Sequence, residues 1–129
     1  MIYIFINLWP IAAATLFGLT IGFAWLRASG TQLPGWKMLA GVSLAEFWLA
    51  SILAGALILA PSQAGVWAMA LGSAVVIWIG FVVPVLWVTF TAYGLGASRA
   101  LSASLHWLCV MVGQAVLMQW IGLSQPPAA

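Results

Sequence analysis

From Met38 to Ala60 the chain reads MLAGVSLAEFWLASILAGALILA, an apolar run broken by one ionisable residue, Glu46. A helix needs about 20 mostly apolar residues to cross about 30 Å of hydrocarbon. This stretch is long enough, and three others match it. They run from Ile4 to Leu26, from Trp67 to Phe90 and from Ser104 to Leu123. Spans over 4–26, 38–60, 67–90 and 104–123 leave no length for a soluble domain. The expected fold is an all-α integral membrane protein, a single domain over 1–129. Its four-helix transmembrane bundle has antiparallel up-down topology. The turn formers Ala28–Gly35, Pro61–Gly65 and Thr91–Ser98 separate the runs. The first run has no basic residue before it and is longer than a signal core, so it is read as a permanent span. The tail, residues 124–129, is short and proline-containing, and is expected to fray.

Charge agrees with this reading. Only Arg27, Lys37, Glu46 and Arg99 are charged among 129 residues, 3% of the chain. A soluble domain carries about 25%. The count excludes a soluble globule. The high hydrophobicity excludes disorder, and the lack of a basic face excludes a nucleic-acid binder. Arg27, Lys37 and Arg99 all fall in or beside the first and third connections, which a four-span chain places on one side. The positive-inside rule makes loops 27–37 and 91–103 cytoplasmic and puts both termini outside. The implied location is a bacterial inner membrane.

Nine tryptophans test the spans. Trp25, Trp36, Trp87 and Trp107 fall near one interface and Trp9, Trp67 and Trp120 near the other, as aromatic belts require. Trp48 and Trp78 lie deep in their helices. An indole N–H there needs a partner, so these two are expected inside the bundle or as a wall for a partner or ligand. Helices in lipid associate through small residues and polar contacts. Ala14, Gly18 and Gly22 share one face of the first span, and Gly41 and Ala45 one face of the second. Ala68 and Gly72 do the same in the third. Pro84 is expected to bend the third span and free the carbonyl of Gly80.

Few residues can carry chemistry. Glu46, the one acid, lies about 12 Å below the end of its span by helix rise. An intramembrane carboxyl is a candidate functional site, and unpaired in hydrocarbon it is expected to hold its proton. Gln114 and Trp78 lie at a similar depth, with Ser43 one turn away and Thr20 within a turn. Glu46, Gln114, Trp78, Ser43 and Thr20 are thus expected to form one polar layer across the bundle. His106, the one histidine, is expected at the interface beside Trp107. A lone histidine cannot build a zinc site, but it can be an axial ligand to a haem or chlorin pigment, with Ser102 letting a flat ring approach. Cys109 has no partner for a disulfide. There is no aspartate for a catalytic triad, no phosphate loop and no metal-ligand cluster. An enzyme is not expected.

The chain is similar to a bacterial family of small four-span membrane proteins known as domain of unknown function 1761. The resemblance rests on the span layout and on Gly22-Phe23-Ala24-Trp25, Trp36-Lys37, Trp78-Ile79-Gly80-Phe81, Leu105-His106-Trp107-Leu108 and Trp120. It implies a fold and no activity.

Three functions are open to such a chain. The first, and the one expected, is a structural or accessory subunit packing against partner helices in a larger membrane complex; the others are its alternatives. The second is a proton-coupled small-molecule exporter using Glu46. The third is a binder of an apolar cofactor, pigment or lipid at His106, or against Trp48 and Trp78. No cofactor is required by the sequence. The expected partners are membrane lipids, other membrane subunits or a second copy of the chain.

Overall fold

The computed structural model describes residues 2–61 and 63–127. Ser62 of the second connection and Ala128–Ala129 of the expected tail lie outside the described residues. The helices are α1 (Ile2–Ile6), α2 (Leu8–Ala28), α3 (Trp36–Leu59), α4 (Val66–Ile77), α5 (Val83–Ala92) and α6 (Ala97–Ile121). A π-helical turn, Trp78–Val82, joins α4 to α5. Helices α2, α3 and α6, and the continuous Val66–Ala92 span, are each long and apolar enough to cross a membrane. The fold is therefore the expected all-helical bundle of four candidate spans.

Three boundaries differ from expectation, each for a local reason. The first span is not continuous from Ile4: it breaks at Asn7. Pro10 lacks the N–H that would bond the carbonyl of Ile6, and its ring crowds that carbonyl. Helix α6 begins at Ala97, seven residues before Ser104, so Arg99 lies in its first turn and the connection is only Tyr93–Gly96. Apolarity marks where hydrocarbon ends, whereas a helix continues until something stops it. Here Gly96, at φ +87°, forms the boundary. In the third span, the extra residue of the π turn lets Val83 donate its N–H to the carbonyl of Trp78. Pro84 then sits in the first turn of α5, where a missing N–H costs little. The expected defect at Gly80 is thus spread over a whole turn.

The two connections at the basic end close alike. After α2, Thr31 N–H bonds Leu26 O at 3.0 Å and Gly30 N–H bonds Arg27 O at 3.2 Å. After α5, Leu95 N–H bonds Phe90 O at 2.8 Å and Gly94 N–H bonds Thr91 O at 3.0 Å. Both are Schellman caps. Each needs a left-handed residue, supplied by Gly30 at φ +68° and Gly94 at φ +66°.

Helix α6 is the centre of the bundle, touching α2, α3, α4 and α5, while α2 and the Val66–Ala92 span do not touch among the described residues. The core is Ile11 and Ala14 of α2, Ala50, Leu53 and Ala54 of α3, Ala74 of α4, and Met111, Ala115 and Met118 of α6. All lie toward the end where residues 2–7 and the residues after Ile121 meet. Asn7 binds that end: its Nδ2 donates to Ser124 O at 2.9 Å, and Ser124 N–H donates to Asn7 Oδ1 at 2.7 Å. The main apolar core therefore sits toward this end, away from the basic residues.

Only some of the small residues pack helices. Ala14 and Gly18 are buried, and Phe17 packs its ring on Gly113 of α6. Gly41 and Ala45 do not pack helices: both are exposed, because the buried stripe of α3 is Glu46, Ala50, Leu53 and Ala54. Nor does Gly22, whose Cβ position meets nothing within 4 Å. Ala68 and Gly72 also face outward.

Candidate functional site

Glu46, only 4% exposed, stands beside Gln114, which is fully buried. Gln114 Nε2 donates to Glu46 Oε1 at 2.8 Å and to the carbonyl of Ala14 at 3.2 Å. One amide thus ties α6 to both α3 and α2. Gly18 makes this possible. A Cβ at that position would collide with the Glu46 carboxyl and come within 2.8 Å of Gln114 Nε2. Gln114 Oε1 is buried and has no hydrogen-bond partner.

The polar layer is narrower than the sequence predicts. Trp78 does not join it: its indole N–H donates at 2.7 Å to the carbonyl of Ser104, a second α6 contact nearer the basic end. Thr20 is exposed and its hydroxyl donates to Leu16 O at 2.8 Å on its own helix. Ser43 is half-buried on α3 and takes no part in the Glu46–Gln114 contact. Thr15, Ser51 and Ser104 are buried, but each likewise bonds the carbonyl four residues back. Such bonds satisfy a hydroxyl without linking helices.

Between Glu46 and the basic end lies a cavity of about 340 Å³. Gly22, Phe23 and Leu26 of α2 form one wall and Met38 and Val42 of α3 another. Ala103, His106 and Trp107 of α6 form the third, Thr31, Gln32 and Pro34 line the connection side, and Glu46 lies at the far end. His106 is therefore a cavity residue. Its ring lies 5.3 Å from that of Trp25, tilted by 51°, and 5.4 Å from that of Trp107, nearly edge-on at 69°. Its Nδ1 is buried without a partner. The earlier start of α6 explains this placement, since it sets His106 more than two turns inside the helix rather than at its first turn.

Trp48 and Trp78 do not form a ligand wall. Trp48 is 50% exposed on the outer face of α3, Trp78 turns to Ser104, and neither lines this cavity. Ser102 is exposed and does not line it either. A second cavity, about 250 Å³, lies at the other end among Leu57, Met69, Gln119 and Gln125 and holds no ionisable side chain. Among the described residues no three His, Cys, Asp or Glu side chains come together as metal ligands.

The sequence reading missed the cavity itself. Its available signal was Gly22, which continues the small-residue face of Ala14 and Gly18 past the point where α2 is covered. The Asn7–Ser124 contact was also missed, although Pro10 marks the helix break that exposes it. No protein-family model, no curated protein and no solved structure matches the chain.

Proposed function

We propose that this protein is a small integral membrane protein that holds a small, largely apolar molecule in the cavity between α2, α3 and α6. One observation carries the proposal: the single acid and the single histidine of the chain line the same cavity. Gln114 engages one carboxyl oxygen of Glu46, and His106 Nδ1 has no hydrogen-bond partner. A mostly apolar pocket with a few convergent polar groups is the usual form of a small-molecule site. The protein would act by binding rather than by catalysis. In a bacterial inner membrane, the positive-inside rule would turn the basic end and the cavity toward the cytoplasm and leave both termini outside.

Native mass spectrometry of the gently extracted protein tests this. The wild type is expected to carry a small molecule that Gly22→Leu, which fills the cavity, does not. Identical spectra for the two would end the proposal.

A second reading, an accessory subunit in a larger complex or a self-associating one, is favoured by the Val66–Ala92 span. Only 11% of its most apolar stretch is buried, and Ala68 and Gly72 face outward from it. Small residues there permit close approach of another helix. In the same spectra, a protein partner or second copy that Gly72→Leu removes would support it.

A further inference from the structure

We infer that the occupant of this cavity is a lipophilic ammonium, an apolar body with an N–H-bearing cationic head, which displaces a proton from Glu46. The inference rests on the cavity being a binding site and adds the chemistry of what binds.

Gln114 engages Oε1 of Glu46, which leaves Oε2 as the oxygen available to an occupant. A carboxylate oxygen accepts, and an ammonium brings donors to it, whereas a neutral ligand offering only carbonyl oxygens would leave it unsatisfied. Charge favours the same occupant. A carboxyl in a low-dielectric site needs either a proton or a cation. The chain supplies no cation, because Arg27, Lys37 and Arg99 do not line the cavity. An anion would face the carboxyl with nothing to balance it. Aromatic side chains complete the match: Phe23, Trp25 and Trp107 line the walls, and ring faces attract cations.

Position sets the order of events. His106 and Gln114 are eight residues apart on α6, about 12 Å of helix rise. His106 is therefore nearer the basic end than the carboxyl. The head enters past His106 and forms an ion pair with Glu46. The carboxyl proton leaves in exchange, one proton out for one cation in. Among the titratable groups, only His106 shares the cavity with Glu46. Cys109 of α6 is exposed, and Arg27 of α2 and Lys37 of α3 are exposed at the basic end.

The test is calorimetry on the protein in lipid nanodiscs, against empty discs, with naphthylmethylamine and its neutral counterpart naphthylmethanol. The wild type is expected to bind the amine about tenfold or more tighter than the alcohol. Glu46→Gln is expected to abolish that preference. Buffers of different ionisation enthalpy should reveal about one proton released per amine bound at low pH. Amine affinity should fall by up to about tenfold per pH unit once Glu46 is protonated. Equal binding of amine and alcohol without proton release, both lost in Gly22→Leu, would overturn the ammonium and leave the cavity reading standing. Binding that survives Gly22→Leu, or no binding of either probe, would overturn both. Proton release is measured on the wild type, so the result stands even if Glu46→Gln does not fold.

Discussion

A single missing methyl group lets α2 approach the Glu46 carboxyl. Restoring it in Gly18→Ala forces Glu46 and Gln114 apart in a packed region. The expected cost is about 1–3 kcal/mol, read as a lower midpoint in denaturant unfolding from detergent micelles. Gln114→Leu keeps the bulk but leaves Glu46 Oε1 of α3 and the Ala14 carbonyl of α2 without their shared donor. A loss of about 1–3 kcal/mol is expected by the same measurement. Glu46→Gln retains an acceptor for Gln114 and should cost less than either. The pairing of Glu46 with Gln114 was legible in the sequence because helix rise predicts depth. Depth is only one coordinate. Each residue also turns a helix by about 100°, and nothing in the sequence of an all-apolar span fixes that angle against its neighbours. Thr20 and Trp48 lie near the predicted depth but point outward, and Trp78 finds a backbone carbonyl that no side-chain pattern announces.

The elements end where backbone chemistry stops them, and the spans were legible for a different reason, their apolarity. The two criteria agree for α3 and part company for α6, whose first turn holds Ser98 and Arg99 and extends beyond the apolar run. The caps at Gly30 and Gly94 make this testable. Alanine at either position must adopt positive φ, and the expected cost is about 1 kcal/mol each, with faster amide exchange over the last turn of α2 or α5. At the other end, Asn7→Ala removes both hydrogen bonds to Ser124. Hydrogen exchange should then lose protection at the Ser124 amide while the α3 core amides keep theirs. Equal protection in the variant would show that packing alone holds the two segments together.

The cavity that holds both Glu46 and His106 lies toward the basic end of the molecule, whereas the smaller one at the other end holds no ionisable side chain. A site of this kind has a direction, and its direction can be measured. Single cysteines placed at Thr31 and at Gln125 in a Cys109→Ala background should react with an impermeant thiol reagent from opposite faces of a sealed vesicle. Reaction from the same face would disprove the four-span topology. The contact between Asn7 and Ser124 also has a consequence for how the chain is assembled. Its two partners are separated by 117 positions, so it cannot form until every span between them has entered the bilayer. Ordering of the segment around Asn7 is thus a late event in biogenesis. A ribosome-bound chain stalled before α6 emerges would present the first helix without its contact to Ser124.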